Sequence, residues 1–268
     1  IVVNKVRLDT VTLSCAERLR LICVAATGYD NIDTTYCRDR GIAVCNVAGY
    51  STDSVAQLTV ATVLWLACRF GEYLPFVRTG TYSASGAANK VQPPFHELRG
   101  KTWGIIGYGS IGAQVGRVAA SLGCRVVVSK RTPVESVECV DIDTLCRVSD
   151  IISVHTPLNA DTRGLIDSRR IALMKRGVIF VNSARGAVTD EAALAKAIAE
   201  GQIGALGVDV YTSEPFPETH PFYAIRTLPN VCFTPHMAWA AYEARLRCLQ
   251  EIVENIRSFL EGGQRGRV

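Results

Sequence analysis

Apolar runs of strand length alternate along this chain with longer stretches in which apolar positions recur at helical spacing. The first kind suits a strand buried on both faces and the second a helix packed by one side. The alternation therefore predicts an α/β fold, parallel sheets with crossover helices. Strands are predicted at "RLICVAA" (20–26), "TWGIIG" (102–107), "RVVVS" (125–129), "DIISVHTP" (150–157), "GVIFVNSA" (177–184), "ALGVDVY" (205–211) and "NVCFTPH" (230–236). Helices are predicted over 51–70, from Ser110, over 190–201 and over 241–262, with the Gly- and Pro-containing stretch 86–100 as loop. Six of these strands fall after residue 101 and suit one doubly wound sheet over 50–239. The few strands in 1–49 need a partner, and the terminal helix within 240–268 is expected to fold back onto them as a second, smaller domain.

One strand ends in a turn with chemical content. Gly107-Tyr-Gly109-Ser-Ile-Gly112 follows "TWGII" directly and opens a helix, the setting in which G-x-G-x-x-G is a dinucleotide-binding fingerprint. Gly107 permits the tight turn, Gly109 lets a pyrophosphate approach the backbone, and Gly112 lets helix and strand pack closely. The larger domain is accordingly expected to be of the Rossmann type. In NAD-binding versions a carboxylate about 20 residues on receives the ribose hydroxyls. Here that place, 18 positions after Gly112, holds Lys130, followed by Arg131 and Thr132. Two cations and a hydroxyl suit a 2′-phosphate, so the stretch favours NADP over NAD, which stays possible.

Composition narrows the partners. A chain of 268 residues with 48% hydrophobic and 20% charged residues can bury a sizeable core, and its net charge of +4 is too small to imply nucleic acid or a membrane surface. The ten cysteines show no C-x-x-C pair and sit mostly in apolar runs, as reduced core thiols of a cytoplasmic protein would. The four histidines have no metal-ligand spacing, so no metal is expected.

Ligands of open α/β sheets bind past the carboxyl ends of the strands. Three such ends deliver a titratable or cationic group each: Arg185 after "VIFVNSA", Glu214 after "ALGVDVYTS" and His236 after "VCFTP". Reduction of a 2-oxo acid needs a hydride donor, a proton donor and a fixed cation. Arg185 suits the cation, forking onto carboxylate and carbonyl oxygen. His236 as imidazolium suits the proton donor, and a neighbouring Glu214 carboxylate would favour that charged form.

These residues sit in stretches that resemble the D-isomer-specific 2-hydroxyacid dehydrogenases nearly end to end: "ATGYDNID" (26–33), "RGIAVCNVAGYSTDSVAQ" (40–57), "LRGKTWGIIGYGSIG" (98–112), "VHTPLNADTRGLID" (154–167), "VNSARGAVTDEAAL" (181–194), "GVDVYTSEP" (207–215) and "TPHMAWAAYEAR" (234–245). The last is most like the glycerate dehydrogenase, or hydroxypyruvate reductase, branch. The resemblance implies that Arg185, Glu214 and His236 match the family's catalytic Arg, Glu and His. Thr27 and Gly28 would offer amides to the substrate carboxylate. Thr156, Ala184 and Asp209 would line the nicotinamide pocket. Ser110 and Ile111 at the glycine turn, Ser129 before Lys130, His155 and Pro157 beside Thr156, Thr162, Ser183, and both His236 and Ala238 would complete the cofactor contacts.

The resemblance further implies a flavodoxin-like substrate domain, N-terminally incomplete because the family's first strand and helix should precede "IVVNK", and a homodimer associating through the nucleotide domain and helix 51–70. The expected substrate is a small 2-oxo or 2-hydroxy acid. A D-lactate- or phosphoglycerate-type dehydrogenase within the same family is an alternative, and two readings outside it stand further off. Corepressors of similar fold sense dinucleotides and bind protein partners. Formate dehydrogenases carry glutamine at the place of Glu214, which argues against that assignment here.

Overall fold

A computed structural model describes all 268 residues. The chain divides into two compact units, Ile1–Ser54 with Trp239–Val268, and Val55–Ala238.

In the first unit, β1 (Val2–Val3), β2 (Leu21–Val24) and β3 (Ala43–Cys45) form a parallel sheet in the order β1-β2-β3. The connecting helices are α1 (Thr10–Ser14) and α2 (Thr34–Asp39). Each is N-capped by an aspartate, Asp9 and Asp33, whose carboxylate accepts a backbone N–H of the first turn. The terminal helix α10 (Tyr242–Leu260) buries Ala244, Cys248 and Ile252 against Cys23, Cys45, Val47 and Tyr50. The helix thus closes a second core, as its predicted amphipathic pattern requires.

The second unit is built on seven parallel strands in the order β10-β9-β8-β7-β4-β5-β6. They are β4 (Thr102–Ile106), β5 (Arg125–Ser129), β6 (Glu138–Cys139), β7 (Ile151–Val154), β8 (Val178–Asn182), β9 (Ile203–Val208) and β10 (Val231–Phe233). The prediction of six strands missed β6, a two-residue edge strand too short to show a period. The crossover helices are α6 (Ser110–Ser121), α7 (Ile142–Val148), α8 (Ser168–Leu173) and α9 (Glu191–Ala199). One face carries the Trp103, Ile105, Val115 and Val128 core, and the other the Ile152, Phe180, Leu194 and Leu206 core. Both faces are covered, so the strands are apolar throughout rather than alternating.

The helix expected over 51–70 ends earlier. It comprises α3 (Thr52–Ala67), then a break at Arg69, whose φ of 55° is left-handed, then α4 (Phe70–Arg78) and α5 (Thr81–Ala84). Arg69 turns its guanidinium onto Glu72 of the new helix, with Nε to Oε1 at 2.8 Å. Gly71 then lies so near Pro229 that a Cβ there would stand 2.0 Å from the Pro229 carbonyl oxygen. No single helix is long and apolar enough to cross a membrane.

Candidate active site

Strand order reverses at β4, with β5 on one side and β7 on the other, and a crevice forms where connections leave in opposite directions. The glycine turn sits there, and its three glycines have three different surroundings. Gly107 has φ +88°, and a Cβ on it would stand 2.8 Å from the backbone of His155 and Thr156 at the end of β7. A Cβ on Gly112 would stand 2.2 Å from the Gly107 carbonyl oxygen. Around Gly109 nothing lies within 4 Å of that position. The first and last glycines are needed by the protein's own packing; the middle one leaves its backbone approachable from outside. Gly109 is also the N-cap of α6, makes no side-chain cap, and leaves the first-turn amides, Ser110 and Ile111 among them, at a helix terminus suited to an anion. A dinucleotide pyrophosphate fits that surface.

The Ser129 carbonyl at the end of β5 accepts the Gly107 N–H at 2.9 Å, which pins the second strand to the turn. Lys130, Arg131 and Thr132 follow, all exposed. Beyond β7, the His155 backbone N–H reaches the Ile106 carbonyl at 2.7 Å, and Thr156 and Pro157 continue along the rim.

Several predicted cofactor contacts have side chains committed elsewhere. The His155 ring turns into the fold, with Nε2 3.0 Å from the Ser153 Oγ, which in turn accepts the Trp103 indole N–H at 3.0 Å. Burial pulls the imidazole down to about 3, so it is neutral, and its Nδ1 has no hydrogen-bond partner. Only the His155 backbone faces the turn. The Ser183 Oγ lies 2.9 Å from the Thr59 Oγ1 of α3, and the Thr162 hydroxyl donates to the Pro157 carbonyl at 2.6 Å within its own turn. At these three positions the side chain is already hydrogen-bonded within the protein, a detail that one sequence cannot show.

The three residues expected to do chemistry follow β8, β9 and β10, adjacent parallel strands whose carboxyl ends share one edge. Arg185 is half-buried, and its Nη1 donates to the Ala184 carbonyl at 2.9 Å. Asn182 braces this corner from both sides: its Oδ1 accepts from the Ala184 N–H and its Nδ2 donates to the Arg185 carbonyl, each at 3.0 Å. The His236 Nδ1 lies 2.7 Å from both Glu214 carboxylate oxygens. That pairing puts the ring proton on Nδ1 and sets Nε2 on the opposite side of the ring from the carboxylate. The Glu214 Oε1 also accepts the Tyr211 backbone N–H at 3.0 Å.

His236 has φ +52°, a strained conformation for a residue other than glycine, and the structure shows what holds it. The Asp209 carboxylate, 4% exposed, accepts the Thr234 hydroxyl at 2.6 Å, the Met237 N–H at 2.8 Å and the Ala238 N–H at 2.9 Å. The Asp209 carboxylate clamps the turn on both sides of His236. Ala238 is buried by the same clamp. Tyr211 packs beneath, its hydroxyl donating to the Thr234 carbonyl at 2.9 Å, and burial pushes its phenol well above the usual range.

Thr27 and Gly28 belong to the first unit, just beyond β2. The Thr27 hydroxyl donates to the Val47 carbonyl at 3.0 Å and its carbonyl accepts from Asn46 Nδ2 at 2.7 Å, so this loop is braced from the end of β3. Reading the sequence alone missed a buried pair, Glu191 and His220, bonded at 3.0 Å. Each looks ordinary in sequence, as an acid in a first helical turn and a loop histidine.

Comparison with known proteins agrees with these features. Residues 60–238 match the D-isomer specific 2-hydroxyacid dehydrogenase NAD binding domain. A glycerate dehydrogenase of Methylorubrum extorquens is 36% identical over 260 residues, covering 97% of this chain and 82% of its own length. A glyoxylate reductase of Aeropyrum pernix is 38% identical over 269 residues, covering 96% of this chain and 78% of its own. Among solved structures, an acyclic imino acid reductase in complex with NADPH and D-Arg superposes with a TM-score of 0.88 at 30% identity, covering 100% of this chain and 84% of its own. With a nucleotide-binding turn at the sheet's switch point and relatives named as dehydrogenases and reductases, this chain belongs to the D-isomer specific 2-hydroxyacid dehydrogenase family and is an oxidoreductase acting on 2-hydroxy acids.

Proposed function

We propose that the chain reduces a small 2-oxo acid, hydroxypyruvate or glyoxylate, to the D-2-hydroxy acid, with NADPH favoured over NADH. The observation that carries this reading is the His236–Glu214 pair at 2.7 Å on the same sheet edge as Arg185. The nicotinamide cofactor supplies the hydride. Its pyrophosphate would rest on the Gly107–Gly112 turn and its 2′-phosphate beside Lys130, Arg131 and Thr132. Arg185 would orient the substrate by its carboxylate and polarise the C2 carbonyl. The His236 Nε2 would give a proton to the C2 oxygen as that carbonyl is reduced. Glu214, on Nδ1, would stabilise the imidazolium that makes this possible. A dinucleotide-sensing corepressor is the weaker reading, since the relatives are named as enzymes.

The exposed apolar side chains of Phe70, Leu74, Val77, Tyr82, Val91 and Phe95 support a homodimer joined through this segment, a site shifted from helix 51–70 to the helices after it. Free thiols at all ten cysteines support a cytoplasmic location.

Initial rates with NADPH and NADH against hydroxypyruvate, glyoxylate, pyruvate and a phenyl-substituted 2-oxo acid test the reading. Hydroxypyruvate or glyoxylate with NADPH should give the highest kcat/KM; no turnover with any of them would sink it. Lys130→Asp with Arg131→Ala should move the cofactor preference towards NADH by about 10- to 100-fold, the worth of one or two charge-assisted bonds. An unmoved ratio would end the 2′-phosphate assignment alone.

A further inference from the structure

The buried Glu191–His220 pair is joined to the loop that carries Glu214. Glu191 stands in the first turn of α9 and is 7% exposed, and His220 is 8% exposed. The Glu191 carboxylate takes three bonds: from the Thr212 N–H to Oε1 at 3.0 Å, from the Thr212 hydroxyl to Oε2, and from His220 at 3.0 Å to the same oxygen. The His220 Nδ1 accepts the Phe222 N–H at 3.2 Å, so the ring proton is on Nε2 and points at Glu191. Around the ring, the loop supplies its own packing, with Phe216 and Phe222 at centroid distances of 5.0 and 5.3 Å and Tyr211 at 6.4 Å.

Segment 211–222 is therefore folded about His220 and tied to α9 at Thr212. The residue beside that tie, Tyr211, gives its N–H to Glu214, and Glu214 holds His236. A second constraint comes from the Arg185 side. A Cβ on Gly186 would stand 2.2 Å from the Tyr211 carbonyl carbon and 2.3 Å from the Thr212 nitrogen, so the backbone next to Arg185 abuts the same two residues. From this geometry we infer that Glu191 and His220 are positioning residues, which fix the Tyr211–Thr212 peptide and through it the carboxylate of Glu214 against His236. The inference rests on the proposed acid pair, because positioning matters to turnover only if Glu214 and His236 act on the substrate.

Glu191→Gln tests it in the full chain. An amide cannot accept from both Thr212 and His220 without setting its own N–H against a donor. The expected result is a ~10- to 100-fold fall in kcat with KM for the cofactor nearly unchanged, the cost of a displaced catalytic carboxylate. Thr212→Val, which deletes only the hydroxyl bond, should show a smaller fall of the same kind and guards against a Glu191 variant that does not fold. A second readout needs no turnover. The proton on the His236 Nδ1, held by a carboxylate at 2.7 Å, should give a downfield NMR resonance in the unmodified protein that weakens or shifts upfield in both variants. The inference is overturned if folded Glu191→Gln and Thr212→Val keep that resonance in place and keep kcat per folded molecule. Failure of the underlying reading looks different: the resonance would respond to Glu191→Gln while His236→Asn left turnover intact.

Discussion

The β9–β10 connection contributes to two carboxylate–imidazole pairs, giving Glu214 to one and His220 to the other, and burial separates their properties. Glu214–His236 has side chains 28% and 19% exposed, whereas those of Glu191 and His220 are 6% exposed each. In the more exposed pair both oxygens of the Glu214 carboxylate reach the His236 Nδ1, and Oε1 also accepts the Tyr211 N–H. In the buried pair the carboxylate is shared between the imidazole and two bonds from Thr212, and both imidazole nitrogens are spoken for. Chemistry needs a nitrogen that can exchange a proton with a ligand, and scaffolding needs none. The same two functional groups thus stand in two settings, one reached by solvent and proposed as the reagent, the other buried and proposed as the brace.

The sharpest way to break the comparison is at the rim. His236→Asn keeps a residue that tolerates the left-handed backbone of φ +52° but removes the acid. The kcat/KM for 2-oxo acid reduction should fall by about 10²- to 10⁴-fold, the usual worth of a general acid, with the melting temperature almost unchanged. Comparable turnover in the variant would show that the exposed pair is no more a reagent than the buried one.

The second test exchanges the ranking by measuring stability rather than rate. Glu191→Gln leaves buried donors in conflict and should cost about 1–3 kcal/mol in denaturant unfolding. Glu214→Gln, at a partly hydrated site, should cost about 0.5 kcal/mol or less while kcat falls ~100-fold. Equal stability losses would mean that exposure does not distinguish the pairs.

Legibility in the sequence followed the same division. The glycine turn could be read because Gly107 and Gly112 answer local backbone demands and Gly109 keeps the approach open, and the rim residues because a parallel sheet sends all its carboxyl ends to one side. Side-chain direction could not. Nothing in "VHTP" says that the His155 ring turns inward, and nothing in "GVDVY" says that Asp209 will clamp three donors around His236. The Glu191–His220 bond spans 29 residues and joins two unremarkable positions, so only the fold brings them together. The break after Ala67 was hidden for another reason: apolar residues stand on both sides of Arg69 in "VLWLACRF", and hydrophobic period carries no sign of a left-handed backbone there.

His155 supplies a third case: an imidazole buried with no carboxylate at all. Its Nε2 meets only the Ser153 hydroxyl, its Nδ1 meets nothing, and burial holds it down to about 3 against an ordinary value of 6.5. The folded protein refuses a proton that the unfolded chain accepts below pH 6.5, so unfolding is favoured as pH falls. The stabilising contribution is complete above 6.5 and is lost on the way down to 3, at about 1.4 kcal/mol per pH unit at most. Between pH 6.5 and 5, above the range in which carboxylates protonate, His155→Gln should flatten the dependence of unfolding free energy on pH relative to the unmodified protein. Denaturant titrations at several pH values across this window read the difference of slopes, in which the other histidines cancel. Parallel slopes would mean that the folded state admits the proton, and that a buried imidazole here needs no carboxylate to carry charge.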